Sequence, residues 1–260
     1  MVVAVRLAVI GKGGAGKSVI AGTMARLVAR QGTPVLALDA DLLPGLSLSL
    51  GSGPDPAPPP LIDAAEQDEA GQWRWCEGID ATVAAQRFAT DAPDGVRLLQ
   101  RGKVAGGGSG PITGASKAFW EVAHGLVDAP AFLDWALIGD LPAGPHPLAE
   151  NWAPYAETYV VVVQPTVQSA MAGRRVARLA RLRAPDAAVL LIANRVRDEH
   201  DVHHVETLMR EPVFASIPVD DGVAAAERIG VAPIDHAPDS PTVAAIERLL
   251  ARIRAQASHG

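Results

Sequence analysis

The sequence predicts an α/β domain built on a doubly wound, mostly parallel sheet with helices on both faces. Short runs of Val, Leu, Ile and Ala alternate along the chain with segments whose apolar residues recur at helical spacing. This alternation is typical of repeated strand–helix–strand units. A glycine-rich motif at residues 11–18, GKGGAGKS, lies between the first predicted strand and the first predicted helix, which is where a phosphate-binding loop occurs in such folds.

The predicted strands are continuous apolar runs, because parallel strands that are buried on both faces lack polar alternation. They are residues 2–10, 34–39, 95–100, 135–140, 158–164, 187–193 and 213–217. Helical spacing and capping residues predict the helices, at residues 17–30, 116–127, 167–182, 199–209, 222–229 and 240–257. Ligands of such sheets bind at the carboxyl ends of the strands, so polar residues that follow a strand are the first site candidates.

Two segments interrupt the alternation of strands and helices. Residues 51–60, GSGPDPAPPP, are too rich in Pro and Gly for regular structure, and we predict an irregular insertion near residues 51–72. Residues 102–114, GKVAGGGSGPITG, contain six glycines and predict a second irregular insertion. Because no internal repeat and no interdomain linker is visible, we expect a single domain over residues 1–260.

Composition excludes several classes of protein. The net charge of −6 argues against a generally basic nucleic-acid-binding surface. The single cysteine, Cys76, excludes an internal disulfide framework and a pair of zinc thiolates. The sequence has no signal-peptide pattern and no uncharged apolar stretch of about 18 residues. We therefore expect a cytoplasmic protein.

The motif at residues 11–18 fits the template G-x-x-x-x-G-K-[ST] and predicts a P-loop NTPase fold. Glycines allow successive backbone N–H groups to converge on phosphate oxygens at the N-terminus of a helix. Lys17 would then contact the outer phosphates, and the Ser18 hydroxyl would bind magnesium. An ordinary glycine-rich turn is the alternative. A chance match is disfavoured because the chain contains only four lysines.

Carboxylates follow two of the predicted strands. Asp39 and Asp41 end the strand at residues 34–39, and Asp140 ends the strand at residues 135–140. A phosphate loop needs such acidic partners to hold magnesium and to position water. An apolar strand that ends in a carboxylate is the Walker B arrangement, which favours Asp140 most. Aspartates that cap turns are the alternative.

The second lysine of the loop, Lys12, identifies a particular kind of phosphate loop. The form KGGxGK[ST] resembles the deviant Walker A motif of the ParA/MinD-type ATPases. The resemblance implies that Lys12 reaches the partner's phosphates in an ATP-bound homodimer. It also implies that Asp41 orients or deprotonates the attacking water, and that Asp39 supports the magnesium ion.

Later segments continue the resemblance. Residues 140–144, DLPAG, are similar to the family's D-x-P-A-G, whose Asp holds magnesium through water and whose Gly senses the γ-phosphate. Asn194 is similar to the family's adenine-binding Asn, with a simple turn residue as the alternative. Residues 217–221 are similar to the loop that closes around the base. The implied nucleotide-binding residues are Gly13, Gly14, Ala15, Gly16, Lys17, Ser18, Val19, Asn194, Pro218 and Val219; the implied magnesium residues are Ser18, Asp39 and Asp140; the implied catalytic residues are Lys12 and Asp41.

Within this family the chain most resembles the accessory ATPases for nickel insertion into carbon monoxide dehydrogenase, the CooC group. The similar segments are residues 98–108, 194–199 and 240–243. The group's C-x-C metal motif is missing, since Pro111 and Thr113 stand where the thiolates would be, and neither is a soft metal ligand. The resemblance implies ATP or ADP and Mg²⁺ as cofactors, a homodimer with ATP, and a client protein that is a metalloenzyme.

Three alternatives remain open at this stage. The chain could be a partitioning or positioning ATPase that binds DNA with the arginine-rich helix at residues 171–181, or membrane with the C-terminal apolar stripe, although we do not expect nucleic acid or membrane as partners. This stripe consists of Val243, Ile246, Leu249, Leu250 and Ile253. It could be a nucleotide sensor that does not hydrolyse ATP. The pair His200 and His204, one helical turn apart, could chelate a metal.

Overall fold

The fold is built around a mostly parallel β-sheet. The structure, a computed structural model, describes residues 4–42, 45–53, 61–102 and 109–257. The strands are β1 Arg6–Gly11, β2 Val35–Asp39, β3 Ala65–Gln67, β4 Trp73–Trp75, β5 Thr90–Asp91, β6 Arg97–Gln100, β7 Ala136–Asp140, β8 Thr158–Val163, β9 Ala188–Val196 and β10 Ala215–Pro218. The helices are α1 Lys17–Arg30, α2 Gly45–Leu50, α3 Ala81–Phe88, α4 Ser109–Gly125, α5 His146–Ala149, α6 Val167–Arg183, α7 Glu199–Met209, α8 Asp221–Ile229, α9 Pro233–His236 and α10 Pro241–Ala257.

In the described residues the main sheet has eight strands, in the order β10–β9–β8–β1–β7–β2–β6–β5. Every neighbouring pair is parallel except the edge pair β5–β6. Because β1 lies in the middle, between β8 and β7, the loop that follows it opens at the centre of the carboxyl edge of the sheet.

Separate apolar cores cover the two faces of the sheet. Ile20 and Met24 of α1 pack with Ile246 and Leu249 of α10 on one face. Phe119 and Val122 of α4, Val176 of α6 and Val205 of α7 pack on the other. The side chains of each strand point alternately to the two faces and contribute to both cores, as expected for a sheet that is covered on both sides. The predicted doubly wound α/β fold is confirmed.

The two predicted insertions are partly regular, which corrects the sequence analysis. Residues 61–64 form a 3₁₀ turn, and β3 pairs with β4 as a short antiparallel hairpin. Helix α4 begins at Ser109, seven residues before the predicted start at residue 116. Pro111 falls in its first turn, where proline is tolerated because the N–H has no intrahelical partner. Residues 54–60 and 103–108 of the insertions lie outside the described residues.

Candidate nucleotide site

The loop at residues 11–18 connects the end of β1 to the start of α1. Gly14 and Gly16 have φ of 74° and 95°, the left-handed region that glycine adopts without steric cost. The backbone N–H of Ala15 donates to the carbonyl of Lys12 at 3.2 Å and closes the turn. Helix α1 begins directly afterwards at Lys17. The loop therefore presents N–H groups at a helix N-terminus, the arrangement that binds phosphate.

The two lysines of the loop have different environments. Lys17 is 7% exposed and lies within electrostatic reach of Asp140. Lys12 is partly exposed, and its Nζ donates to Oε1 of Gln168 on α6 at 3.3 Å. Lys17 thus points to the interior of the site, whereas Lys12 lies on its outer side.

Asp39 and Asp140 meet at the edge of the sheet beside this loop. The two residues are partners in the β2–β7 ladder, and they are 0% and 2% exposed. The Ser18 hydroxyl donates to Oδ2 of Asp140, while Oδ1 of Asp140 is buried with no hydrogen-bond partner among the described residues. An unpartnered buried carboxylate oxygen beside a serine hydroxyl is chemically suited to Mg²⁺, which prefers oxygen ligands and completes its shell with water and phosphate.

Burial dominates the electrostatics of this carboxylate pair. It raises the pKa of Asp140 to about 6, against the hydrogen bond from Ser18 and the charge of Lys17. The pKa of Asp39 is raised well above its ordinary value, first by burial and then by the neighbouring charge of Asp140. The site therefore holds an excess of buried negative charge, which a divalent cation would compensate.

Asp41 lies near this pair, within electrostatic reach of Asp140. It is partly buried, and its backbone N–H donates to Oδ1 of Asp39 at 3.2 Å. At the start of α2, a Cβ on Gly45 would approach the Ser18 hydroxyl to 2.6 Å. The start of α2 therefore lies close to Ser18; residues 43 and 44 lie outside the described part.

The segment that follows Asp140 runs along the other side of the loop. The Leu141 N–H donates to the Val9 carbonyl at 3.1 Å. A Cβ placed on Gly13 would lie 3.7 Å from that of Ala143. Gly144 has a φ of 93°, which favours glycine. Residues 140–144 are thus adjacent to the loop, as the resemblance implies.

Asn194 lies beside the loop, within β9 rather than at its end. It is 6% exposed, and its Nδ2 donates to the Ala15 carbonyl at 2.7 Å. This bond uses one of the two N–H donors of Nδ2, so the second N–H and Oδ1 remain for a ligand, and binding of adenine by Asn194 stays a prediction. A Cβ on Gly16 would come within 2.3 Å of Nδ2, so Gly16 is required sterically as well as conformationally.

Two adjoining clefts extend from the loop. One of about 290 Å³ is lined by the loop and the start of α1, including Gly14, Gly16, Lys17, Ser18 and Val19. The other, of about 210 Å³, is lined by Asn194, Pro218 and Val219 among others. All the predicted nucleotide-binding residues except Gly13 and Ala15 line one of these clefts, and those two belong to the loop itself.

Several residues beside the site were missed by the sequence analysis. Gln164 follows β8, the neighbour of β1, and its Nε2 donates to the Gly14 carbonyl at 3.2 Å. Gln168 binds Lys12. Glu227 lines both clefts together with Arg195, which belongs to the similar segment at residues 194–199 but was not assigned a role. A polar residue after a strand was the available signal for Gln164. No signal in the sequence marks Glu227, which reaches the site from the last turn of α8.

No transition-metal site is visible among the described residues, in which no cluster of three or more His, Cys, Asp or Glu is placed to hold a metal ion. The pair His200 and His204 therefore lacks a third ligand of these types. The Cys76 thiol is partly buried and contacts the Asp63 carbonyl at 3.6 Å. Thr113 lies in α4, at one of the two positions where the CooC group has cysteine.

The helices considered for partner binding differ in exposure. The apolar stripe of α10, which includes Val243, Ile246 and Ile253, is buried against the core. On α6, Arg174, Arg175 and Arg178 are exposed. Across the described ranges, the structure contains no helix that combines the length and the apolar character needed to span a membrane.

Comparisons with known proteins agree with this geometry. The family model of the CobQ/CobB/MinD/ParA nucleotide binding domain matches residues 7–234. An uncharacterized ATP-binding protein of Methanocaldococcus jannaschii is 27% identical over 235 residues, which are 86% of this chain and 89% of the relative. The carbon monoxide dehydrogenase accessory protein CooC of Rhodospirillum rubrum is 26% identical over 246 residues, 90% of each chain.

The structure of the septum site-determining protein MinD from Pyrococcus horikoshii, complexed with Mg-ADP, shares the fold. It superposes with a TM-score of 0.72 at 22% identity, and the match covers 96% of each chain. This likeness confirms the predicted P-loop NTPase fold, and ATP hydrolysis is consistent with the matched family. The chain belongs to the CobQ/CobB/MinD/ParA family of nucleotide-binding domains.

Proposed function

We propose that the chain is a magnesium-dependent ATPase that works as a nucleotide-driven dimer switch and assists the maturation of a metalloenzyme. The observation that carries the ATPase part is the buried group of Ser18, Asp39 and Asp140 beside the phosphate loop. Its unpartnered Oδ1 and its excess negative charge support a divalent cation bound next to the β- and γ-phosphates.

In this proposal each residue of the site has a separate role in ATP binding or hydrolysis. The loop N–H groups and Lys17 bind and orient the phosphates, and Asp41 orients the attacking water. Ser18 and Asp140 hold Mg²⁺, with Asp39 behind them. The bound metal supplies positive charge that offsets the negative charge on the transferring phosphoryl group.

The outer surface of the loop supports a dimer. Lys12 lies on the outer side of the site, beside Gln168 of α6. The apolar residues Val167 and Met171, one residue before and three residues after Gln168, are 55% and 68% exposed. An exposed apolar surface next to a cationic loop residue suits burial against a second copy that presents its own ATP. ATP would then join the two copies, and hydrolysis would separate them.

The client is proposed from the relative in Rhodospirillum rubrum, a carbon monoxide dehydrogenase accessory protein. Since Pro111 and Thr113 replace the cysteines of that group, this chain would act on its client without a C-x-C metal clamp. The proposed role is therefore nucleotide-dependent loading or remodelling of a metalloenzyme rather than carriage of a metal between thiolates.

The dimer switch is testable by light scattering on the Asp41→Ala variant, which should bind ATP and not hydrolyse it. We expect a dimer with ATP and Mg²⁺, and a monomer with ADP. Lys12→Ala in the same background should remain monomeric, while Lys117→Ala, an exposed lysine outside both clefts, should dimerise normally. A mass that does not depend on nucleotide would contradict the switch.

Cross-linking tests the client role. The ATP-locked Asp41→Ala protein, cross-linked in extracts of its own organism and analysed by mass spectrometry, should capture a metalloenzyme subunit more strongly than the same protein with ADP. Capture of a DNA-binding protein would instead support a partitioning role.

A second candidate function follows from α6. Arg174, Arg175 and Arg178 form an exposed basic face, and such a face can neutralise phosphates in a salt-dependent manner. A partitioning ATPase would use it to hold DNA in the ATP state. Retention of DNA by the ATP-bound protein, lost on changing the three arginines to glutamine, would support this function; no retention at low salt would exclude it.

A further inference from the structure

The two clefts beside the phosphate loop share four lining residues, Gly16, Val19, Arg195 and Glu227. The first cleft contains Lys17 and Ser18, and the second contains Asn194. A nucleotide that places its phosphates in the first cleft and its base in the second must place its ribose at the boundary between them.

The ribose presents hydroxyl groups, which need polar partners when they leave water. Gly16 has no side chain, and the side chain of Val19 is apolar. Among the described residues that line both clefts, Arg195 and Glu227 therefore supply the polar side chains. Their side chains are 47% and 45% exposed, so they are accessible to a bound nucleotide.

The contact between Arg195 and Glu227 is loose enough to be rearranged. The distance from Nη2 of Arg195 to Oε2 of Glu227 is 3.5 Å, longer than a close charge-assisted hydrogen bond. An exposed pair of this kind contributes little to folding stability. The carboxylate can therefore accept hydrogen bonds from a ligand while it remains beside the guanidinium.

The backbone holds Arg195 in an unusual conformation at this boundary. Its φ of 58° lies in the left-handed region, and the β9–β10 register shifts at the same place. The neighbours on both sides are fixed, because Asn194 binds the Ala15 carbonyl and the Val196 carbonyl accepts from the Val219 N–H at 2.9 Å. Strained positions that are fixed in this way concentrate at functional sites.

Glu227 is carried by an anchored helix. Asp220 caps α8 by accepting from the N–H groups of Gly222 and Val223, and its other oxygen accepts from the Thr242 N–H at 3.0 Å. These bonds attach the start of α8 to the start of α10. Glu227 is therefore presented to the cleft from a rigid support, as a specificity residue requires.

We propose that Arg195 and Glu227 form the ribose subsite of the cleft: the Glu227 carboxylate accepts hydrogen bonds from the ribose hydroxyls, and Arg195 orients that carboxylate. This inference rests on the proposed nucleotide-binding function. It makes the chain selective for ribonucleotides, because a 2′-deoxynucleotide would lack one donor to a charged acceptor.

Calorimetric titration of ATP and of 2′-deoxy-ATP, each with Mg²⁺, tests the subsite. We expect the wild type to bind ATP about tenfold more tightly than 2′-deoxy-ATP, the range of one hydrogen bond to a charged group. Glu227→Ala should weaken ATP about 100-fold and 2′-deoxy-ATP, which keeps the 3′-hydroxyl, about tenfold, so that the preference for ATP disappears. Glu227→Gln, which keeps an acceptor oxygen, should retain part of the preference.

The control is Arg228→Gln, the adjacent exposed residue of α8, which lines neither cleft and should keep the wild-type preference. Arg195→Gln should reduce the preference without abolishing ATP binding. Equal binding of both nucleotides by the wild type, or equal weakening of both by Glu227→Ala, would overturn the subsite and leave the proposed function intact. A wild type that binds neither nucleotide would overturn both.

Discussion

Asp39 and Asp140 face each other as register partners on the neighbouring strands β2 and β7, and both are almost completely buried. Two buried carboxylates on adjacent strands are unfavourable unless protons or a cation compensate their charge. Lys17 offsets part of the charge of Asp140. The remaining negative charge of the two carboxylates therefore destabilises the folded protein, and the proposed magnesium ion would reduce this destabilisation.

The first prediction concerns the pH dependence of stability without nucleotide. The folded pKa of Asp140, about 6, lies above the ordinary value of 3.8, so the folded state binds a proton more tightly than the unfolded state. Its contribution to stability is therefore full below about pH 4 and is lost as the pH rises to about 6. Asp140→Asn should abolish this loss, so the difference in unfolding free energy between the variant and the wild type should shift by about 3 kcal/mol in favour of the variant as the pH rises from 4 to 7. Urea unfolding at both pH values measures the difference, and a constant gap between the two proteins would contradict it.

The second prediction concerns the same substitution in catalysis. Asp140→Asn removes the charge that we assign to magnesium while it keeps the size of the side chain. Hydrolysis should fall about 100-fold or more, the scale seen when a preorganised electrostatic group is lost. Steady-state phosphate release at increasing Mg²⁺ measures this effect, and wild-type turnover by the variant would remove Asp140 from the metal site.

The third prediction concerns Arg101, which connects the aspartate segment to α4. Its guanidinium donates to the Ala40 carbonyl at 3.5 Å, binds the Ser116 hydroxyl and is within electrostatic reach of Asp41. The guanidinium carbon also lies 4.6 Å from the Trp152 ring centroid. Arg101→Gln should lower kcat about tenfold with little change in KM, because the geometry around Asp41 loosens while the phosphate loop is untouched.

The control for this prediction is Arg97→Gln. Arg97 lies at the start of β6, the strand that ends just before Arg101, and pairs with Asp91 away from the site. Arg101→Lys, which keeps the charge, should recover part of kcat. Equal losses of activity in the Arg97 and Arg101 variants would show that the effect is general destabilisation of β6 rather than positioning of the aspartates.

The fourth prediction concerns Arg26, a buried cation of α1. It is 3% exposed and holds Asp235 of α9 through two hydrogen bonds of 2.8 and 2.9 Å, and it also binds Asp94. Arg26→Met would leave these carboxylates without their buried partner and should cost about 3 kcal/mol of unfolding free energy. Arg30→Met, which removes a 40% exposed partner of the same Asp94, should cost less than about 1 kcal/mol. Denaturant unfolding measures both, and equal costs would contradict the role of burial.

Strong local patterns allowed much of the fold to be predicted. Helices α1 and α7 begin and end where the sequence predicts, because their apolar spacing is regular and Asp198 caps α7. The start of α4 was missed, since glycine and proline disfavour helix locally and packing of Phe119 and Val122 against the sheet outweighs that preference. Helix α3, which Asp80 caps, was not predicted because it is only eight residues long.

The site was predictable where residues share a motif or follow a strand. The phosphate loop, Asp39, Asp41 and Asp140 come together because parallel strands end at one edge. The engagement of Asn194 with the Ala15 carbonyl and the approach of Glu227 depend on how distant elements pack. Sequence spacing carries no information about such contacts, so the bond of Asn194 to the loop and the position of Glu227 could be found only from the structure, although the resemblance had already implied Asn194 as a nucleotide-binding residue.

Calorimetric titration of ATP with Mg²⁺ into the wild-type protein and into Lys17→Ala tests the central claim most directly. The nucleotide site described above predicts saturable one-to-one binding by the wild type, and binding weakened at least about 100-fold when the buried lysine is lost. If the wild type failed to bind ATP, or if Lys17→Ala bound it equally well, the glycine-rich loop would not be the site of nucleotide binding.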